Sequence, residues 1–408
     1  VIRAAAAAAA RPRLPVYLVG GTVRDLLLGA SVEDLDLVVE GDAGPLARAL
    51  ARRLNGKARF HSRFGTATVT LPNGQRLDLA TARAEEYDYP GALPRVRRAS
   101  IREDLARRDF TVNAMALALG DRHPVLLDPF GGEADLGRRL LRVLHPRSFL
   151  DDPTRAFRAV RYANRLALRI EPETARLIQR AAAQGAFAAV SGDRLRRELA
   201  LIFSEPRRAG AVRGMARLGL PALLHPSLRS DAAALARLRA AERLAGSRPE
   251  PTGWRLYLLT WIAGLPAKAV ASLGARLSVA GEERRILLAW PRFLDRLRRL
   301  LAVRDLSRVC AEAAGRSAEE LLAAAACLSA GHRRALLAGW ERSRIALSIS
   351  GRDLVAAGIP AGPAIGRALS RTLAARREGA ISARRELEFA LAAARSVQTG
   401  RPSSSSLA

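Results

Sequence analysis

Cysteine is nearly absent: Cys310 and Cys327 are the only two in 408 residues. They stand far apart in helical sequence, so they make no metal-ligand spacing and exclude a disulfide scaffold. A reducing compartment, the cytoplasm, is therefore expected. Histidine is sparse too, and His61, His123, His145, His225 and His332 are scattered. No H-E-x-x-H pattern or His-Asp pair occurs, so zinc chemistry and a second phosphohydrolase domain find no support. No apolar run approaches the roughly 20 residues that span a bilayer, so no membrane partner is expected. Acidic residues are outnumbered, with 39 Asp and Glu against 67 Lys and Arg, for a formal charge of +28. Nearly all of the basic residues are arginine. A GC-rich genome that writes arginine for lysine explains that ratio but not the surplus over acids. The surplus predicts a polyanionic partner, and arginine suits phosphate. No protein partner is inferable.

What is present starts with length. A chain of 408 residues predicts two or more folding units and allows a large core. The opening VIRAAAAAAARPR has only alanine in its apolar part, with Arg-Pro-Arg after it. It reads as a frayed low-complexity arm over residues 1–13 rather than a signal peptide. The serine-rich end, 396–408, reads as a disordered tail.

Residues 17–40, YLVGGTVRDLLLGASVEDLDLVVE, organise the rest. Tyr17 to Val19 reads as a strand, Gly20 and Gly21 as a turn, and Thr22 onward as a helix carrying Arg24 and Asp25. After Gly29 a second strand runs from Asp34 to Val39. Strand side chains alternate, so Asp34 and Asp36 share a face. Two adjacent carboxylates repel unless a cation sits between them. Magnesium accepts a few carboxylates and completes its shell with water and phosphate oxygens. The Gly-Gly turn opens a helix whose free N–H groups can cradle phosphates, and Arg24 adds a forked donor. Alone, an Asp-x-Asp pair is more often solvated surface, and Gly-Gly only a turn. Together, at this spacing, they point to a nucleoside-triphosphate and metal site. GGTVRDLLLG followed by DLD resembles the signature of the class II nucleotidyltransferases. These are the bacterial CCA-adding enzymes, their CC-adding and A-adding relatives, and bacterial poly(A) polymerase.

Residues 14–135 alternate strand and helix and read as one domain, the catalytic head of the resemblance. A helix is expected over Gly44 to Leu54. A hairpin follows, with strands Arg63 to Leu71 and Gln75 to Thr81 around Pro72-Asn73-Gly74. It places Asp78 on the sheet beside Asp34 and Asp36. Asp78 either supports the metal site or makes a local hydrogen bond at a strand end. Ala84 to Ser100 has Pro, Gly, Tyr and clustered Arg without period and reads as a mobile loop. The resemblance implies that this loop influences nucleotide choice. Its YDYPGALP form looks more like the A-adding, CC-adding and poly(A) branches. Arg107, Arg108, Asp109 and Asn113 head an apolar segment read as a helix, Phe110 to Leu119. They form a ribose and triphosphate clamp, with Asp109 orienting Arg107 and Arg108, or a structural salt-bridge cluster. RRDFTVNAMA matches the family's second motif. Asp128, Pro129, Gly131 and Gly132 form a turn before a helix starting at Glu133 or Asp135, which looks like the family's hinge.

From residue 136 the chain reads as helical. The resemblance implies a neck over residues 136–205 and a helical body and tail over 206–395 that would bind tRNA. Asp152 and Arg155 are three apart and are expected to share a helix face. Such a pair can offer an acceptor and a donor fork to a base edge; the alternative is an N-terminal salt bridge. Arg158 and Arg161 could reach phosphates. The segment resembles the family's Glu-Asp-x-x-Arg nucleotide-recognition motif, with Asp151 in place of Glu. Arg194, Arg196 and Arg197 form a candidate phosphate track for RNA. Trp254, Tyr257 and Trp261 read as a core stripe. Gly358, Pro360, Gly362 and Pro363 interrupt two helical pieces, as a phosphate-contacting turn or a plain one, in a stretch similar to the C-terminal part of bacterial members.

The resemblance is tight over residues 17–162. It implies an α+β chain: a head with a mixed sheet of the DNA polymerase beta type, then an all-α neck, body and tail. It implies transfer of C and/or A from CTP and ATP to the tRNA 3′ end, with two Mg2+ ions on Asp34 and Asp36. One ion would activate the RNA 3′-hydroxyl, and the other would stabilise pyrophosphate. Gly21, Arg24 and Arg107 or Arg108 would hold the triphosphate and ribose. Asp152 and Arg155 would read the base, and basic helices would grip the tRNA acceptor arm and elbow. A poly(A) polymerase shares this chemistry. A non-catalytic RNA-binding protein on a degenerate head is the reading from another class, and the intact Asp-x-Asp argues against it.

Overall fold

The computed structural model describes residues 1–9, 14–32, 34–61, 65–86, 94–119, 124–250 and 252–398. Tyr87 to Leu93, the centre of the expected mobile loop, and the serine-rich residues 399–408 lie outside this description. So do the Arg-Pro-Arg of the opening and Arg63.

The chain divides into two compact units, Val1–Leu228 with Ala275–Val279, and Arg229–Gly274 with Ala280–Ala408. The first opens on α1 (Ile2–Ala9), β1 (Val16–Val19), α2 (Gly21–Leu27), β2 (Leu35–Val39) and α3 (Ala43–Arg53). β3 (Lys57–His61), β4 (Thr66–Thr70), β5 (Arg76–Thr81), β6 (Arg83–Glu86), β7 (Arg95–Arg98) and α4 (Ile101–Ala106) follow. β8 (Ala116–Ala118), β9 (Val125–Leu127) and α5 (Gly132–Gly137) complete the head. Seven strands form one sheet in the order β3-β4-β5-β2-β1-β8-β9. β2 and β5 run parallel and the other neighbours antiparallel, so the sheet is mixed as expected.

Alternation along the central strands sets the layers. Leu35, Leu37 and Val39 of β2 and Leu77 and Leu79 of β5 are buried with Leu46 and Leu50 of α3. Each such side chain contributes about 1.5–3 kcal/mol. Asp36 and Asp78 point to the other face, directly opposite each other in register. α4 covers another part of the head, where Ile101 and Leu105 pack with Val19, Val38 and Ala116.

Several expectations need correction. The opening arm is α1, and its Ala5 is 1% exposed within the head core. Alanine favours helix, and this one has a core to pack on. Phe110 to Leu119 is no helix: a 3-10 turn at Thr111–Asn113 leads into β8. Pairing of β8 with β1 decides the state of a short apolar run that periodicity leaves ambiguous. The described ends of the expected loop are β6 and β7, which pair as an antiparallel ribbon.

The neck begins with β10 (Leu140–Leu141), α6 (Ser148–Asp151) and α7 (Arg155–Arg165). β11 (Arg169–Ile170) pairs with β10, an addition to the expected all-helical reading. α8 (Pro172–Ala183), α9 (Gly192–Ser204), α10 (Arg208–Arg217) and α11 (Leu220–Leu224) follow. The unit boundary falls after Leu228 rather than at the expected 205/206. Val212 and Met215 of α10 are fully buried, and Gly214 sits against Val160 of α7. Residues 275–279 join this unit, where Arg276 donates to the Val190 and Phe187 carbonyls.

The second unit is helical throughout its described residues. Tyr257 and Trp261 are 1% and 2% exposed, so the core reading of that stripe holds, with Trp254 half-buried. Gly358 has φ +88°, which favours glycine in the turn before the Pro363–Glu378 helix. Cys310 and Cys327 are free thiols. Among the described residues no helix is long and apolar enough to cross a membrane.

Candidate active site

A cavity of about 330 Å³ gathers most of the residues singled out in the sequence. Gly20, Gly21, Asp36, Arg107, Arg108, Asp109, Asn113, Asp152, Arg155 and Arg158 line it, and Glu85 and Tyr162 join them. Head and neck motifs some 130 residues apart therefore meet.

The two arginines of the clamp are fixed from below. Asp104, on α4, is fully buried. It accepts Arg107 Nη2 at 2.6 Å and Arg108 Nη2 at 3.0 Å. These pairs span three and four residues, the spacing of neighbours on a helix face. Ser100 and Glu103 close a capping box at the head of α4. Burial alone would raise the Asp104 pKa, but Arg108 and Arg107 outweigh it and hold it below the usual carboxylate range. Arg107 also donates to Glu85 Oε1 at 2.8 Å. Gly20 has φ +63°, and a Cβ there would run into the Arg108 guanidinium. The positive φ is what favours glycine, because the guanidinium end is a side-chain tip that could shift.

Asp109 forms the second anchor. Its Oδ2 accepts Arg158 Nε at 2.9 Å and Nη2 at 2.6 Å, two charge-assisted bonds to one oxygen. Its Oδ1 accepts the Asn113 side chain at 3.0 Å. Burial pushes the Asp109 pKa up, but Arg158 and Asn113 prevail and lower it. The Arg158 pKa is raised in turn, chiefly by Asp109. Asp109 thus orients one arginine, Arg158, from the neck; Arg107 and Arg108 are oriented by Asp104.

The carboxylates gather at one end of the sheet. Asp36 is exposed and lines the cavity; Asp78 stands opposite it, and Asp34 lies just before β2. Local desolvation raises the Asp36 pKa, Asp78 and Asp34 add to the rise, and Arg108 and Arg24 oppose it. Mutual repulsion of this kind is what a divalent cation relieves. Among the described residues no three His, Cys, Asp or Glu side chains close into a ligand cage. An open carboxylate pair fits a hard cation that keeps water and phosphate oxygens in its shell. Asp78 accepts Thr68 Oγ1 at 2.6 Å, the local strand hydrogen bond that was its other reading. Asp34 accepts the Arg76 N–H at 3.2 Å.

Several arginines depart from expectation. Arg24 is 2% exposed and is spent on Asp25 and Asn113, with its guanidinium 5.5 Å from the Tyr162 ring. It does not line the cavity. Arg161 lies 3.9 Å from Glu198 and 4.7 Å from the Tyr162 ring centre, also outside it. Arg155 donates to Ser148 Oγ and to the Arg107 carbonyl, both at 2.6 Å. Asp152 accepts from Thr154 and from Arg194 at 2.7 Å. Asp152 and Arg155 both reach the cavity but do not pair along a helix. Asp152 is extended and precedes α7, so helical spacing does not apply to it. Arg194 is thus held at the cavity edge, Arg196 pairs with Asp193, and Arg197 is exposed.

Asp104, Glu85 and Tyr162 were missed. Asp104 was legible in the D-L-A-R-R spacing. Glu85 sits in an aperiodic stretch, and Tyr162 reads as one more apolar helix position.

A mixed sheet carrying clustered carboxylates beside an arginine-lined cavity defines a nucleotidyltransferase-type head. Residues 16–142 match the family described as the poly A polymerase head domain. Residues 167–231 match the probable RNA and SrmB-binding site of polymerase A. An A-adding tRNA nucleotidyltransferase of Geobacter sulfurreducens is 36% identical over 91% of this chain and 44% of its own length. A CC-adding tRNA nucleotidyltransferase of Deinococcus radiodurans is 36% identical over 94% of this chain and 90% of its own. The structure of a Thermotoga maritima CCA-adding enzyme complexed with tRNA(CCA) superposes with a TM-score of 0.78. It is 31% identical, covering 96% of this chain and 94% of that one. The chain belongs to the tRNA nucleotidyltransferase and poly(A) polymerase family. It spans less than half the length of the A-adding relatives it matches. Membership implies a divalent metal cofactor, which the carboxylates fit.

Proposed function

We propose that the chain transfers C and/or A from CTP and ATP to the tRNA 3′ end. One observation carries this reading: Asp36, the Arg107–Arg108 pair and the Asp109–Arg158 pair line a single cavity. The names of the two relatives and the tRNA complex of the structural neighbour support it.

Asp34 and Asp36, with Asp78 beside Asp36 on the neighbouring strand, would hold two Mg2+ ions. The metal supplies Lewis-acid activation of the RNA 3′-hydroxyl and stabilisation of the leaving pyrophosphate. Arg107 and Arg108, pinned by Asp104, would bind the triphosphate without losing side-chain freedom at that moment. Gly20 and Gly21 keep the floor open for it. Arg158, locked by Asp109, presents a fixed edge to the ribose and base. Asp152 and Arg155 form the rim nearest the base, already held in place by Arg194 and Ser148. Base choice by such a rim needs no template strand. The tRNA acceptor arm and elbow would be held through phosphates by the basic helices, consistent with the charge of +28.

Asp36→Ala tests the reading. Incorporation of labelled nucleotide should fall by at least about 1,000-fold, the scale of losing a metal-positioned reaction. Binding of tRNA should stay within about twofold, because phosphate contacts elsewhere supply the affinity. Surviving activity would remove Asp36 from the mechanism.

A further inference from the structure

A second cavity in the head, of about 500 Å³, takes no part in the reaction above. Thr81 lines it and pairs with Val39, at the far end of the β2–β5 ladder from Asp36. Its walls come from α3, β3 and the β6–β7 ribbon, and they carry Arg48, Arg83, Arg97 and Arg98. Asp42 is the one acid among the described lining residues, and its carboxylate is occupied in capping α3 through the Gly44 N–H. Arg83 and Arg97 are partly neutralised by Glu85 and Glu103. Arg48 and Arg98 are exposed, and among the described residues neither makes an ion pair. Phe60, on the edge strand β3, is 44% exposed, and the Arg48 guanidinium lies 5.3 Å from its ring centre.

An open aromatic ring within a row of arginines is the arrangement that binds single-stranded nucleic acid. Bases stack on the ring irrespective of sequence, and the cations follow the backbone. Arg48 covers one face of Phe60 in a cation–π contact, and the ring's remaining exposed surface is where a base would stack. A free nucleotide would need groups aimed at its base edge. The lining offers the Thr66 and Thr81 hydroxyls, and Thr81 Oγ1 is already bound by the Ala43 N–H. The groove also adjoins the nucleotide cavity, since Arg83 and Arg107 both donate to Glu85 Oε1.

We infer that this groove is a second RNA-contact site, in which a single-stranded segment stacks a base on Phe60 and lays phosphates along Arg48, Arg97 and Arg98. The inference rests on the proposed transfer reading for the nature of the nucleic acid.

The full chain is tested with a tRNA transcript lacking its 3′ CCA, by filter binding across a salt series and by nucleotide incorporation. Arg48→Glu with Arg98→Glu should weaken RNA binding at least tenfold and flatten the salt slope by about two phosphate contacts. Phe60→Ala should weaken it by about 5–50-fold, the loss of one stacked base. ATP affinity should stay within twofold in every variant, and melting temperature should be unchanged because these side chains are exposed. A chain that extends tRNA while its groove variants bind RNA normally overturns the groove and leaves the transfer reading standing. Groove-dependent RNA binding without nucleotide incorporation upholds the groove and overturns the transfer reading. Loss of ATP affinity in Phe60→Ala overturns the groove as an RNA site.

Discussion

Buried carboxylates fix the arginines of the cavity, and each carboxylate gives a prediction at the scale of one residue. Asp109 is 5% exposed and meets Arg158 through two hydrogen bonds. Asp109→Ala removes both hydrogen bonds from a partly exposed guanidinium, which costs about 1.5–3 kcal/mol. The melting temperature of the first unit should fall by roughly 3–12 °C, read by calorimetry. Asp104 gives a pH dependence. Its folded-state pKa is depressed, against about 3.9 in an unfolded chain. The unfolded chain therefore binds the proton more readily. The stabilisation is fully present above the unfolded value and is lost as pH falls through the folded one. Thermal melts between about pH 6 and pH 3 should show a steeper fall for the wild type than for Asp104→Asn. The roles of these residues were only partly legible in the sequence. Asp109 was seen as an orienting acid, but of Arg107 and Arg108, because sequence order shows nearest neighbours first. The partner it does hold, Arg158, is 49 residues away. Arg24 and Arg155 looked like free donors because a sequence does not show which guanidinium is already spent.

At the scale of elements, α4 matters out of proportion to its six residues. It carries Asp104, and its start is set by the Ser100–Glu103 capping box. Ser100→Ala should cost about 1 kcal/mol of stability. It should also raise KM for the nucleotide more than it lowers kcat, because Arg107 and Arg108 lose their rigid support. Steady-state kinetics separates the two. The strands bearing Asp36 and Asp78 were readable from period-two alternation, and the Pro72-Asn73-Gly74 turn from its composition. β8 was not, because Ala, Met and Leu suit helix and only pairing with β1 makes this run a strand. The β6–β7 ribbon was hidden for a related reason: its strands gain their partner across a connection that has no period. α1 was hidden because the core it covers is assembled from residues far along the chain.

At the scale of the whole molecule, the charge of +28 is the most general clue to a polyanionic partner, and it was available from composition alone. It predicts strong salt dependence. With six to ten phosphate contacts, tRNA affinity should fall by about 10³–10⁵ between 50 and 200 mM salt. A flat response in filter binding would remove phosphate contacts as the main source of affinity. The division into units was less legible. Residues 206–228 read as the start of the body, yet Val212 and Met215 are buried in the first unit. Helical period marks a buried face but not the neighbour that buries it.

The most direct test is incorporation of labelled CTP and ATP, singly and together, into tRNA lacking CCA, tRNA ending in CC, and a generic RNA. The proposed function predicts C and/or A added in discrete steps at the tRNA 3′ end, and none with Asp36→Ala. No incorporation on either tRNA, or long A tails on the generic RNA, would contradict it.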